Sequence, residues 1–210
     1  MIKKIIHIFN RLTEDRCSFI VHKSIDFRLS ILRHCSGLFT HLSAYIKGII
    51  IGRNCKFYGL PYFYRYPFSK ITIGESCRFR SDSSSNLIGI NHKCILSTHG
   101  KSAILEIGNS CGLSGVSIGA AMEIRIGNNV LCGANVVITD FDWHSDRSHT
   151  LPSPVIIHDN VWIGLNSTIL KGVEIGENTI IGANSLVVKS IPANVVAGGN
   201  PCKIIKNINS

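Results

Sequence analysis

The chain has 210 residues and a formal net charge of +9. This length suits one domain of ordinary size, or one domain with a small appendage. The charge is uneven, because residues 1–47 hold eight Lys or Arg against three acidic residues, and such an excess favours an anionic partner. We find no nucleic-acid-binding motif, no apolar run of the roughly 18 residues that a membrane span needs, and no export signal at the start. We therefore expect a cytoplasmic protein that does not bind nucleic acid.

Residues 1–47 carry apolar residues at helical spacing, with Lys and Arg between them. The pattern predicts basic amphipathic helices with a break at Ser36-Gly37. Two roles stay open for this region. It caps the first coil of the repeats that follow, or it docks on an anionic membrane surface.

A six-residue repeat follows over residues 48–193 and is clearest at 157–192. That stretch divides into six hexapeptides, each of which begins with an aliphatic residue. A period of six matches neither a helix nor a lone strand, so it predicts a solenoid with three short strands and three corners in each coil. The fifth position of each hexapeptide is small or β-branched, which suits short strands. Asn and Gly recur at the corners, where the chain must bend.

Looser repeats precede this stretch. Their coils are expected to begin at Ile51, Ile73, Ile90, Ile107 and Ile126. Aromatic residues fall in 58–69, which we expect to form a loop that packs on its own coil or on a neighbouring subunit, the alternative being that the aromatic faces stack on sugar rings. Four cysteines follow an aliphatic residue by four positions and are expected to be small buried hydrophobes: Cys55, Cys77, Cys94 and Cys111. The sequence has no CxxC, which argues against a zinc site made of cysteines.

The repeat is interrupted once more before its clearest part. The interval from Ile126 to Ile157 exceeds a coil by thirteen residues, which predicts a projecting loop at 139–156. Pro152 and Pro154 in this loop oppose regular strand pairing. The loop holds two His, three Asp, one Arg and one Trp, and long loops on a rigid scaffold are where chemistry concentrates. After the last repeat, residues 194–210 form a C-terminal tail.

Three segments resemble one family: ITDFDWHS, VWIGLNSTILKGVEIGENTIIGANSLVVKSIP and GGNPCKIIK. Together they are similar to the hexapeptide-repeat acyltransferases, above all to sugar O-acetyltransferases of the maltose, galactoside and surface-polysaccharide type. The resemblance covers roughly residues 51–206 and implies an all-β solenoid, a left-handed parallel β-helix of hexapeptide repeats. Residues 1–47 have no counterpart in the family, and their helical pattern adds an N-terminal helical cap to the predicted fold. It also implies a homotrimer that binds acetyl-CoA between adjacent subunits, uses no metal, and acetylates a hydroxyl of a sugar such as a surface-polysaccharide precursor.

The resemblance assigns roles to the projecting loop. His144 matches the general base of the family, and an imidazole suits that role because its pKa lies near neutrality. Asp142 or Asp140 is expected to orient the His144 ring, to contact the sugar, or to serve as a turn residue. Ser114 lies near a polar position of the family that contacts the acceptor. Trp143 is expected to pack the loop or to contact the substrate.

The resemblance also assigns a cofactor site. The backbone N–H of Leu165 is expected to stabilise the oxyanion, although many relatives carry a small polar residue at this position. Gly164 and Ala183 match main-chain contacts to pantetheine. Three cations late in the chain match positions near the phosphates and adenine: Lys189, Lys203 and Lys206.

Two other classes of function stay open. The γ-type carbonic anhydrases share this fold and hold zinc with three histidines, and His144, His149 and either His92 or His99 offer such a set. A β-helix that serves only as an interaction scaffold is the second alternative, and it predicts no acetyl-CoA binding. The sequence identifies neither the sugar nor whether oxygen or nitrogen is acetylated.

Overall fold

The computed structural model describes residues 15–144 and 151–208. Within these residues one α-helix, α1 (Arg16–Ile46), precedes a series of short β-strands and one 3-10 turn at Ser83–Ser85. The strands in chain order are β1 (Ile50–Ile51), β2 (Lys56–Tyr58), β3 (Tyr62–Tyr64), β4 (Lys70–Ile73), β5 (Arg78–Arg80), β6 (Ile95–Thr98), β7 (Ile104–Ile107), β8 (Gly112–Ser114), β9 (Ser117–Ala120), β10 (Glu123–Ile126), β11 (Leu131–Ala134), β12 (Val137–Thr139), β13 (Val155–Ile157), β14 (Trp162–Ile163), β15 (Thr168–Ile169), β16 (Glu174–Ile175), β17 (Ile180–Ile181), β18 (Leu186–Val187), β19 (Val195–Gly198) and β20 (Lys203–Asn207).

The strands form three sheets that enclose a three-sided prism. Sheet 1 has the order β1-β4-β7-β10-β13-β16, sheet 2 the order β2-β5-β8-β11-β14-β17-β19-β20, and sheet 3 the order β3-β6-β9-β12-β15-β18. Each coil therefore adds one strand to each sheet in turn, and strands of adjacent coils pair in parallel. Only β19 and β20 pair antiparallel among the described strands. We name the three corners of the prism the 1–2, 2–3 and 3–1 edges after the sheets that they join.

The predicted hexapeptides build the core of the prism. The aliphatic residues that begin them are at most 1% exposed: Ile157, Ile163, Ile169, Ile175, Ile181 and Val187. The fifth positions are buried as well, from Val161 to Ile191. Burying one large aliphatic side chain stabilises a fold by about 1.5–3 kcal/mol, so the stacked aliphatics are the main stabilising element. The predicted repeat is confirmed.

Asparagine ladders hold two of the edges. Asn160 and Asn178 adopt left-handed backbone conformations, with φ of 59° and 57°, which Asn tolerates better than other residues with a Cβ. The Nδ2 of Asn160 donates to Oδ1 of Asn178 at 3.0 Å, and Asn178 donates in the same way to Asn194. Asn129 continues this ladder along the 1–2 edge, donating to Asn160. A second ladder links Asn135, Asn166 and Asn184 along the 2–3 edge.

The predicted break in the N-terminal helices is wrong. Helix α1 runs without interruption through Ser36 and Gly37. A glycine inside a helix costs about 1 kcal/mol relative to alanine, and here the surrounding turns pack on the first coil. Ser36, Thr40 and Ala44 are buried there, and the Gly59 N–H donates to Ser36 Oγ at 3.1 Å. Residues 1–14 of the predicted region lie outside the described residues.

Two early parts of the repeat differ from the prediction. The aromatic stretch within 58–69 is not simply a loop, because Tyr62–Tyr64 form β3 in sheet 3 and Phe63 points into the core. Ile90 does not begin a coil. It lies in an excursion of residues 81–94, which leaves the prism at the 2–3 edge between β5 and β6. We call this excursion the edge loop.

The cysteines behave largely as predicted. Cys77, Cys94 and Cys111 are buried, and Cys55 is half-buried. Cys77 donates its S–H to the Gly108 carbonyl of the next coil at 3.1 Å, which satisfies the polar hydrogen inside the prism. Burial raises the pKa of the Cys132 thiol to about 12, so this side chain also acts as a small neutral hydrophobe.

Candidate functional site

The projecting loop is anchored at the 3–1 edge by Asp140. This residue follows β12, is fully buried, and accepts hydrogen bonds from the backbone N–H groups of Ala121, Met122 and Glu123 at 2.6–2.8 Å. Its carbonyl accepts a further bond from the Ser153 N–H on the returning side of the loop. Burial raises the pKa of the Asp140 carboxyl, and the N–H donors oppose that rise. Both carboxylate oxygens are thus occupied in holding the loop base.

Asp142, Trp143 and His144 follow and are all exposed. The Asp142 carboxylate pairs with the Lys171 ammonium at 2.5 Å, which ties the loop to the next coil at the same edge. Trp143 lies on Gly119 in β9, where a Cβ would come within 2.7 Å of the indole Cζ2. The glycine therefore makes room for the indole and fixes where the loop begins. Residues 145–150, including His149, lie outside the described residues.

A groove of about 420 Å³ runs along the 2–3 edge. Its floor is a column of small residues from three successive coils: Gly133 and Ala134, Gly164, and Gly182 and Ala183. A Cβ on Gly164 would lie 2.5 Å from the Ala183 nitrogen, so glycine is needed for the coils to stack this closely. Trp162 and Leu165 form the apolar sides. The column gives an extended ligand a narrow trough lined with backbone.

The predicted oxyanion donor lies in this groove. Leu165 is half-buried, and none of the described residues accepts a hydrogen bond from its backbone N–H. An N–H group without a partner, held on a rigid coil, is suited to a developing negative charge. Ser114 is buried at the same edge and its Oγ accepts from the Asn86 amide at 3.2 Å. Asn86 itself lines the groove, so Ser114 supports the groove wall.

The edge loop supplies two groove residues that we did not predict from the sequence, Asn86 and Ile88. It folds across the coils, with the Asn91 N–H donating to Asn135 Oδ1 and Asn135 Nδ2 donating to the Gly89 carbonyl. The run SDSSSN at 81–86 is a turn signal that marks the excursion. Ile90 conceals it, because INHKCI imitates a hexapeptide.

The three predicted cofactor lysines are exposed but do not share one edge. Lys203 and Lys206 lie on β20, which extends sheet 2 beyond the groove through β19. Lys189 follows β18 at the 3–1 edge, on the other side of sheet 3. The structure thus brings two of the three cations to the sheet that carries the groove.

The predicted site residues fall into two groups on different edges of the prism. Asp142, Trp143 and His144 lie at the 3–1 edge, and Gly164, Leu165 and Ala183 lie at the 2–3 edge with Ser114. Sheet 3 separates the two groups within one chain.

The histidines considered for zinc are also dispersed. His92 lies in the edge loop at the 2–3 edge, with Nδ1 at 2.9 Å from the Lys93 carbonyl. His99 follows β6 at the 3–1 edge. In the part of the chain that the structure describes, no three His, Cys, Asp or Glu residues are arranged to hold a metal ion.

Over part of its length the chain is similar to known proteins. Residues 154–189 match the family model described as bacterial transferase hexapeptide (six repeats). The chain is 44% identical over 91 residues to the galactoside O-acetyltransferase of Escherichia coli, a match that covers 41% of this chain and 45% of that protein. A 2,3,4,5-tetrahydropyridine-2,6-dicarboxylate N-acetyltransferase of Staphylococcus aureus is 41% identical over 80 residues, a match that covers 38% of this chain and 31% of that protein. The matches therefore span less than half the length of these relatives.

The fold is shared more widely than the sequence. A variant of AntD, an N-acyltransferase from Bacillus cereus solved with dTDP-4-amino-4,6-dideoxyglucose and coenzyme A, superposes with a TM-score of 0.61. The superposition covers 80% of this chain and 89% of that chain at 20% identity. The predicted fold class, a left-handed parallel β-helix with an N-terminal helix, is confirmed. Residues 154–189 carry the bacterial transferase hexapeptide repeat, and the resemblance of the chain to the hexapeptide-repeat acyltransferases is confirmed.

Proposed function

We propose that the chain transfers the acetyl group of acetyl-CoA to a hydroxyl of a sugar, with His144 as the general base. The observation that carries this proposal is the groove at the 2–3 edge, where small residues form a trough and the Leu165 N–H has no partner among the described residues. The O-acetyltransferase relative supports the reaction class. The solved N-acyltransferase, with coenzyme A and a nucleotide sugar bound, supports the substrate class.

In the proposed reaction His144 takes the proton of the acceptor hydroxyl as the oxygen attacks the thioester carbonyl carbon. The carbonyl oxygen becomes an oxyanion, and the Leu165 N–H donates to it. When the tetrahedral intermediate collapses, the carbon–sulfur bond breaks and the departing sulfur takes the proton from His144, so that coenzyme A leaves as the free thiol. Asp142, paired with Lys171, positions the loop. Gly164 and Ala183 lie along the pantetheine. Lys203 and Lys206 attract the phosphates, and Lys189, at the 3–1 edge, does so from an adjacent subunit.

The separation of the two groups of residues supports a homotrimer. Because His144 and the groove lie on different edges of one prism, we propose that the loop of one chain faces the groove of the next. Three copies around a threefold axis close this arrangement without an unpaired end. We expect sedimentation to give a trimer. Mixing His144→Ala with Leu165→Pro, which removes the N–H, should then restore activity at interfaces where an intact loop meets an intact groove. Monomers that transfer acetyl groups on their own would contradict a shared site.

Calorimetric titration with coenzyme A separates this proposal from a purely structural β-helix. We expect saturable binding with about one site per chain, since a trough of backbone and cations suits an extended anionic ligand. A flat titration would favour the scaffold alternative. Metal analysis of the same sample addresses the zinc alternative, because stoichiometric zinc would argue for the carbonic anhydrase type.

Helix α1 supports a location at a membrane surface. Its buried face carries small residues (Ser36, Thr40, Ala44), and an apolar stripe runs along the opposite face. The exposed residues of this stripe are Ile20, Phe27, Ile31, Leu38, Leu42 and Tyr45. Among the residues that the structure describes, no helix is long and apolar enough to cross a membrane. We propose that the stripe lies in the interface of an anionic membrane, where the sugar acceptor is a lipid-linked precursor of a surface polysaccharide.

The charge of helix α1 also supports an anionic membrane as the surface that the helix binds. Lys23, Arg28 and Arg33 outnumber Asp26 along the helix, and cations near an apolar stripe favour anionic lipid. We expect the protein to pellet with vesicles that contain phosphatidylglycerol and to stay in solution with phosphatidylcholine vesicles. Phe27→Asp should abolish pelleting, and Leu60→Asp, an exposed apolar position outside the helix, should not. Equal pelleting of both variants would contradict the proposal.

A further inference from the structure

A cluster of four rings lies at the 3–1 edge beside the loop that carries His144. The His99 ring is at the centre, with centroids 4.9 Å from Trp143, 5.1 Å from Phe141 and 5.6 Å from Tyr64. Tyr64 and Trp143 are 44% and 57% exposed, so the two outer rings face solvent. Packing of the loop accounts for the contacts among His99, Phe141 and Trp143. It does not explain why the exposed Tyr64 ring lies at the outside of the cluster.

The cluster is assembled from separate coils. Tyr64 ends β3, and its backbone pairs with Ser97 of β6, which places His99 two residues further along the same edge. Phe141 and Trp143 reach the cluster from the projecting loop, because Gly119 leaves space for the indole. The rings are therefore held by three rigid coils and by the start of the loop, adjacent in sequence to the proposed base.

One ring nitrogen of His99 is held by the fold and the other is not. Ser97 Oγ lies 2.9 Å from His99 Nε2 and 3.2 Å from the Ile118 carbonyl oxygen. Among the described residues, none forms a hydrogen bond with His99 Nδ1. Burial lowers the pKa of His99, which favours the neutral ring. The centre of the cluster thus offers a ring nitrogen for a hydrogen bond between aromatic rings.

We propose that Tyr64, His99 and Trp143 form the platform that binds a sugar ring of the acceptor. The inference rests on the proposed function only in identifying the bound sugar as the acceptor, because the aromatic rings alone define the platform. A pyranose presents apolar C–H groups on its faces and hydroxyls around its rim. Aromatic faces suit the first, and His99 Nδ1 can form a hydrogen bond with one of the second. Apolar walls with few polar groups are typical of small-molecule sites.

Binding to an array of immobilised mono- and oligosaccharides tests the platform without turnover. We expect the wild type to bind at least one sugar, and Tyr64→Ala and His99→Phe to weaken that binding by about 3- to 10-fold each. His99→Phe keeps a ring in the cluster and removes both ring nitrogens, Nδ1 and the Nε2 that contacts Ser97. Tyr64→Phe should bind normally, because the ring face and not the hydroxyl makes the contact.

Tyr62→Ala is the matched control. Tyr62 lies on the same strand and is 51% exposed, but its ring contacts Lys47 and lies outside the cluster. Wild-type protein that binds no sugar, or Tyr64→Ala and His99→Phe that bind as well as Tyr62→Ala, would overturn the platform. Acetyl transfer is measured in parallel. Sugar binding without transfer contradicts the proposed function alone, and transfer with unchanged sugar binding in the variants contradicts the platform alone.

Discussion

Replacing His144 by alanine is expected to lower the rate of acetyl transfer by about 10²- to 10⁴-fold, the usual contribution of a general base. The residue is exposed at the loop base, so its removal should leave the thermal midpoint and coenzyme A binding unchanged. Steady-state rates at saturating acetyl-CoA measure the effect.

His158→Ala is the matched control for this substitution. His158 is a partly exposed histidine that pairs with Glu174 at the 1–2 edge, away from both groups of site residues. It should retain the wild-type rate. Unchanged turnover in His144→Ala would mean that another base, such as His149, takes the proton.

The substitution Gly164→Ala is expected to destabilise the fold and to lose coenzyme A binding together. Its Cβ would lie 2.5 Å from the Ala183 nitrogen and 2.8 Å from the Gly182 carbonyl carbon, so adjacent coils must move apart. Forced overpacking of this kind costs about 1–3 kcal/mol, which corresponds to a fall of roughly 2–12 °C in the thermal midpoint. Both readouts should be taken at one protein concentration, because association shifts the midpoint.

Gly182→Ala separates packing from binding at the same groove. A Cβ there would meet nothing closer than the Ala197 carbonyl oxygen at 3.6 Å, so the midpoint should not change. Gly182→Trp should fill the trough and remove the calorimetric signal of coenzyme A while the chain stays folded. Normal coenzyme A binding by that variant would show that the ligand lies elsewhere.

The sequence predicts the late coils well because side-chain chemistry repeats there without interruption. The aliphatic residues that recur every six positions from Ile157 to Val187 are all buried inside the prism. Asn160 and Asn178 mark corners that need a left-handed backbone. The prediction fails where a local pattern coincides with the repeat. Ile90 begins an apparent hexapeptide but lies in the edge loop.

Tertiary contacts explain the remaining differences. Helix α1 continues through Gly37 because the turns around it pack on the first coil. The aromatic stretch at Tyr62–Tyr64 forms a strand because β6 offers it a partner. No sequence period indicates that His99 meets Trp143, since that contact depends on the space left by Gly119.

Acetyl transfer to a saccharide is the measurement that tests the central claim most directly. Purified protein is incubated with acetyl-CoA and a panel of nucleotide sugars and lipid-linked sugars, with thiol release and the mass of the sugar product followed together. We expect thiol release that depends on at least one sugar, with an acetylated form of that sugar as product. Sugar-independent release, or no release across the panel from protein that binds coenzyme A, would contradict the proposed reaction.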